Sequence, residues 1–162
     1  MSRYWYIAIL AFAGLVSVVS GISPQMGICK GSPLWTLLTW MPAHGNIWHL
    51  AVNIAVLVQI ERSPSYRCWL TEAFGLTALA GVAMRHMLTA PMVGLSGVIY
   101  MCVGMASPWV RPTWRNIVIY VWMLAAGFLL PGVAGWPHLI CFLTGMLYGL
   151  GIRYRDKNIN RG

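Results

Sequence analysis

A chain of 162 residues that is 59% hydrophobic and only 9% charged is unlike an average soluble domain, which carries about 25% charged residues. Three acidic residues stand against eleven basic ones, so the formal charge of +8 reads as a membrane-orientation signal and not as a nucleic-acid footprint. The four cysteines, Cys29, Cys68, Cys102 and Cys141, show no CxxC or other metal spacing and read as small core fillers without a disulfide framework. Apolar runs fall at residues 4–22, 47–60, 66–84, 96–107, 116–130 and 138–152. They predict an all-α membrane protein with six transmembrane helices, residues 1–152, followed by a basic tail, 153–162. The first run has the look of a signal peptide with a cleavage site near Ser20-Gly21. Its charged leader (Ser2-Arg3) is short and its apolar stretch too long for that, so it reads as a retained helix.

The fourth run is the shortest. A 12-residue helix is only ~18 Å long and cannot cross a ~30 Å hydrocarbon core. It can serve if it starts partway down, fed by a loop that is buried in protein or lines a watery cavity. That predicts a short central fourth helix with Ser96 at the floor of the cavity. Pro91 breaks regular helix just before it, so a loop leads into Gly94-Leu95-Ser96-Gly97. The glycines permit tight turning and close backbone approach. A helix N-terminus adds free N–H groups and a partial positive charge, which suit an oxyanion.

With the N-terminus in the cytoplasm and six crossings, Arg3, Arg62, Arg67, Arg111, Arg115, Arg153, Arg155, Lys157 and Arg161 fall inside and only Lys30 and Arg85 outside. Nine against two is a strong positive-inside signal and supports both termini in the cytoplasm. The tail from Arg153 is polar, is expected to be mobile, and can touch anionic headgroups. In this orientation the second, fourth and sixth runs all start on the outer side. Their starts carry His44, His49 and Asn53, then Ser96, then His138. Three separate stretches thus bring polar groups to one level.

Asn46 is a plausible N-cap for the second helix. His49 and Asn53, four apart, share a face of that helix, and both can donate hydrogen bonds. Polar groups inside a bilayer are costly and point to function. A serine, an imidazole and two extra donors make the inventory for acyl transfer: nucleophile, base and oxyanion holders. A third acid would ordinarily orient the imidazole. The acid expected within the membrane is Glu72, which sits ~9 Å from the cytoplasmic end of the third run and so on the wrong side. The residues therefore predict a Ser96–His138 dyad without an acid, with Glu72 paired to Arg67 or snorkelling.

These motifs resemble those of rhomboid intramembrane serine proteases of the compact six-helix bacterial type. His44-x4-His49-Leu50-x2-Asn53 matches the family's HxxxxHLxxN, and Gly94-Leu95-Ser96-Gly97-Val98-Ile99-Tyr100 matches its GxSG with a tyrosine. His138, followed by Gly145 and Gly149, resembles the family's sixth helix, and Trp35-Thr36-Leu37-Leu38-Thr39 resembles its WRxxT. The resemblance implies Ser96 as nucleophile and His138 as general base. It implies an oxyanion hole of His49, Asn53 and the Ser96 N–H, with Tyr100 stacked on His138 and His44 in a structural role. Gly94 and Gly97 support the serine. It further implies transmembrane protein substrates cleaved in or near the bilayer of a bacterial inner membrane, no cofactor, and access gated by the fifth helix and the loop 131–137. Thr36 departs from the family's arginine, the loop from Ser23 to His44 is trimmed, and Cys141 stands where the family has a glycine. The small size is also similar to rhombosortases, which process glycine-rich C-terminal sorting signals, although Tyr100 favours the general rhomboids. A non-catalytic rhomboid-like helix binder is the other alternative; such relatives generally lack the serine or the histidine. A transporter would show internal repeats or charged midplane residues. A metal site of four histidines including His86 would lack carboxylate or thiolate support, so no metal is expected.

Overall fold

The computed structural model describes residues 4–63, 66, 69–129 and 133–159. Arg3, Arg67, Cys68, Pro131, Gly132 and Arg161, which entered the expectations above, lie outside the described residues. The chain forms α1 (Trp5–Val19), the short α2 (Ser23–Met26) and α3 (Thr36–Thr39), then α4 (Ile47–Arg62) and α5 (Leu70–Met84). There follow α6 (Ser96–Ala106), which runs into a 3-10 turn at Ser107–Trp109, then α7 (Trp114–Leu129) and α8 (Gly135–Ile159). Among the described residues there is no strand beyond an isolated antiparallel bridge between Ile28 and Met92. The fold is all-α, and its longer helices fall on the six apolar runs.

By length and composition α8 is the described helix long and apolar enough to cross a membrane; α1, α5 and α7 are shorter apolar helices. Their outer faces are strongly apolar: Phe12, Val19, Leu79, Trp122 and Leu129 are each about two-thirds exposed or more. An apolar exterior of this extent marks a surface that meets lipid or protein and not water.

α6 lies at the centre. Nine of its residues are buried, and it packs on α4, α5 and above all α8. Small residues allow that last contact. A Cβ on Gly145 would overlap the Met101 carbonyl oxygen, one on Gly149 the Met105 carbonyl oxygen, and one on Gly104 the Phe142 carbonyl oxygen. The two helices therefore approach backbone to backbone over two turns. Cys141, where the family pattern has glycine, is fully buried beside this seam, so a small thiol fits.

Glu61, near the end of α4, is a buried acid that the sequence reading passed over: it is 5% exposed, while Glu72 lies exposed in the first turn of α5. The Tyr6 hydroxyl donates to Glu61 Oε2 at 2.6 Å, which offsets the burial of the carboxylate. α8 runs unbroken past residue 152 and carries residues 153–159 in its last turns. Nothing between Arg153 and Ile159 is a glycine or proline that would stop it.

Candidate active site

Three helix starts and one loop build the site. The loop before Ser96 is pinned from below: Ile28 and Met92 exchange backbone hydrogen bonds at 3.1 and 3.0 Å, and the Gly94 N–H donates to the Trp40 carbonyl at 2.8 Å. Gly94 takes φ +127°, open to glycine and strained for other residues. Its missing side chain also makes room, because a Cβ there would stand 2.7 Å from His49 Cε1. Ser96 is the first residue of α6, so its N–H has no partner within the helix. Gly97 packs directly on the Trp40 ring, where a Cβ would come within 2.8 Å.

The start of α4 is capped by Asn46, whose side chain accepts from the His49 N–H at 2.9 Å. His49 is half-buried and lies over Gly94. Asn53, one turn on, is buried; its Nδ2 sits 3.1 Å from His44 Nε2. His44 is fully buried in the turn before α4. Its Nδ1 faces the Pro42 carbonyl at 2.9 Å, so that nitrogen is the N–H and Nε2 is the lone pair that accepts from Asn53. The His44 N–H donates to Ser17 Oγ at 3.2 Å and Ser23 Oγ donates to the His44 carbonyl at 2.5 Å, which tie the turn to α1 and α2. His44 thus fixes the Asn53 amide: one N–H is spent on the imidazole, and the other remains to donate elsewhere.

His138 lies in the first turn of α8 and is 6% exposed. Its Nε2 is 2.8 Å from Ser96 Oγ. Tyr100, one turn beyond Ser96 on α6, lies flat on the imidazole with ring centroids 4.3 Å apart and planes 2° from parallel. The Tyr100 hydroxyl donates to the Met123 carbonyl of α7 at 2.5 Å. Geometrically, then, Ser96, His138 and Tyr100 form one cluster, and His49, Asn53, His44 and Gly94 form the group beside it. His86 is exposed and belongs to neither. Among the described residues no group of three or more His, Cys, Asp or Glu could hold a metal ion. A shallow apolar recess lined by Trp5, Tyr6, Ile9, Leu10, Thr71 and Phe74 shares no residue with this site.

Sequence reasoning gave the fifth helix, α7, a gating role but overlooked Gly127. Gly127 is its buried residue, and it meets Gly135 and the Nδ1 side of His138. The signal was a glycine at each end of the α7–α8 connection, which periodicity does not weigh. It also gave Gly104 no role, although Gly104 matches Gly145 and Gly149 across the α6–α8 seam.

Comparison with known proteins matches residues 31–155 to the family model of the Rhomboid domain. "RHOMBOID-like protein 4" of Arabidopsis thaliana is 27% identical over 146 residues, an alignment covering 79% of this chain and 36% of that relative. The chain therefore spans about a third of the length of this curated relative.

Proposed function

The chain belongs to the rhomboid family, and from that premise we propose that it is an intramembrane serine endopeptidase. The observation that carries the reading is the 2.8 Å approach of Ser96 Oγ to His138 Nε2, beneath a stacked Tyr100. In the proposed reaction Ser96 Oγ attacks the carbonyl carbon of a substrate peptide bond, and its proton passes to His138 Nε2. The carbonyl oxygen becomes an oxyanion, held by the Ser96 N–H, the free Asn53 N–H and the His49 ring. Collapse breaks the C–N bond, and the leaving amine takes the proton from Nε2. Water then attacks the acyl-Ser96 ester, with His138 again as base, and releases the carboxylic acid. No acid orients the imidazole; the ring of Tyr100 and the packing of α8 hold it instead.

The substrates proposed are transmembrane protein segments. The chain is read as a multi-pass protein of the bacterial inner membrane, with six crossings, both termini in the cytoplasm, and the helix starts bearing Ser96, His138 and Asn53 facing an outward-open wet cavity. The charge asymmetry and the apolar exterior support that topology. The test is labelling by a fluorophosphonate, which needs an activated serine, together with cleavage of a reporter transmembrane substrate. Wild type is expected to label and to cleave, and Ser96→Ala and His138→Ala to do neither while still inserting. A Ser96→Ala chain that cleaves at the wild-type rate refutes the reading.

A further inference from the structure

Only one nitrogen of the His138 imidazole is used. Nε2 faces Ser96 Oγ, and for Nε2 to accept the serine proton, as a base must, Nδ1 has to carry the ring's own proton. His138 is 6% exposed, and among the described residues its Nδ1 has no hydrogen-bond partner. What covers it is α7: a Cβ on Gly127 would stand 3.3 Å from Nδ1 and 3.0 Å from Gly135 Cα. One turn earlier on the same helix, the Met123 carbonyl accepts from the Tyr100 hydroxyl, whose ring lies on the same imidazole. One face of α7 thus reaches the base twice. Elsewhere α7 is loosely held. It packs mainly on α8, and Ile117, Val118, Ile119, Val121, Trp122 and Leu129 are all exposed.

Resting on the dyad proposed above, we infer that α7 governs His138 as a base, with Gly127 and Met123 as positioning residues. When Ser96 attacks, its proton goes to Nε2 and the imidazole becomes a cation with two N–H groups. With α7 seated, the Nδ1–H faces a glycine and finds no acceptor, so the cation is poorly stabilised and Ser96 is weakly activated. When α7 is displaced, water reaches Nδ1, accepts its hydrogen, and stabilises the cation. A segment that pushes α7 aside thereby arms the nucleophile.

The experiment compares Gly127→Ser with Gly127→Ala in the full chain, by the rate at which a fluorophosphonate labels Ser96. Both variants add the same Cβ against Gly135 Cα. Only serine adds an oxygen, which can donate back to the Met123 carbonyl one turn earlier and accept from Nδ1–H. Gly127→Ser is expected to label about ten-fold faster than Gly127→Ala. Tyr100→Phe keeps the stacked ring and releases α7 from its tie, so it is expected to label about three-fold faster than wild type. Equal rates in the two Gly127 variants, or a Tyr100→Phe chain no faster than wild type, overturn the inference. Should the Gly127 variants fail to insert, Tyr100→Phe decides alone. A wild-type chain that never labels removes the protease reading itself, and this inference with it.

Discussion

Gly145→Ala isolates the contact that sets the distance between Ser96 and His138. Gly145 lies seven residues, about two turns, beyond His138 on α8. A Cβ at this position would overlap the Met101 carbonyl oxygen and stand 3.1 Å from Met101 C and 3.0 Å from Met105 N. These are backbone atoms of α6 and cannot swing away as a side-chain tip can. Carbon contacts are most favourable at ~3.5–4.0 Å, so relieving the overlap with the Met101 oxygen requires the two helices to separate by about 1 Å at this level. Carried to the helix starts, that moves the 2.8 Å Oγ–Nε2 approach beyond the ~3.2 Å limit of a normal hydrogen bond. A misplacement of about 1 Å at a reacting pair costs on the order of 10²-fold in rate. The strain itself destabilises by about 1–3 kcal/mol. The assay is the fluorophosphonate labelling rate of Ser96, divided by the folded fraction measured on the same sample. Gly151→Ala is the control: a Cβ there meets nothing within 4 Å, so labelling stays at the wild-type level. If Gly145→Ala labels within about two-fold of wild type at equal folded fraction, the glycine seam does not set the dyad distance and the reasoning from packing to catalysis fails.

Three further outcomes follow from the same geometry. Asn53→Ala removes a proposed oxyanion donor and is expected to lower kcat by about 10²–10³-fold, or 2.7–4 kcal/mol, with KM little changed in a reporter assay. Gly94→Ala forces a methyl group into φ +127° against His49 Cε1; it is expected to cost about 1–3 kcal/mol in a thermal unfolding measurement and to slow labelling as His49 is pushed away. Tyr6→Phe removes the donor to buried Glu61 and is expected to destabilise by about 1.5–3 kcal/mol, while the labelling rate per folded molecule stays at wild type, because neither residue lies near Ser96.

The helices were legible because apolar runs are long, local signals, and the capping of α4 by Asn46 was legible because Asn-to-His49 spacing is local too. The meeting of Ser96 and His138 was inferable only from their shared level and from family motifs, since nothing local relates residues 42 apart in sequence. Glu61 was overlooked for a related reason. It sits beside Arg62 at the end of an apolar run and reads as the solvated edge of a helix, until Tyr6 of α1 reaches across to it. Gly127 was harder still. A glycine near the end of an apolar helix has no periodic partner, and what it does depends on which atom of another helix it faces.

That last dependence separates this site from one built around an acid. In a triad a carboxylate accepts from Nδ1–H and holds the imidazole in one tautomer. Here, among the described residues, the same nitrogen is enclosed and without a partner, and the ring is held by stacking instead. Stacking fixes the plane of the ring but supplies no acceptor, so it orients the base without strengthening it. In the proposed reaction the strength must then come from whatever occupies the space beside Nδ1, and among the described residues that is Gly127, the buried residue of an otherwise largely exposed α7. In the proposed reaction, proton transfer that rests on such a helix is slow while that helix is in place, which would suit the proposed protease if it shares a membrane with proteins it must leave intact.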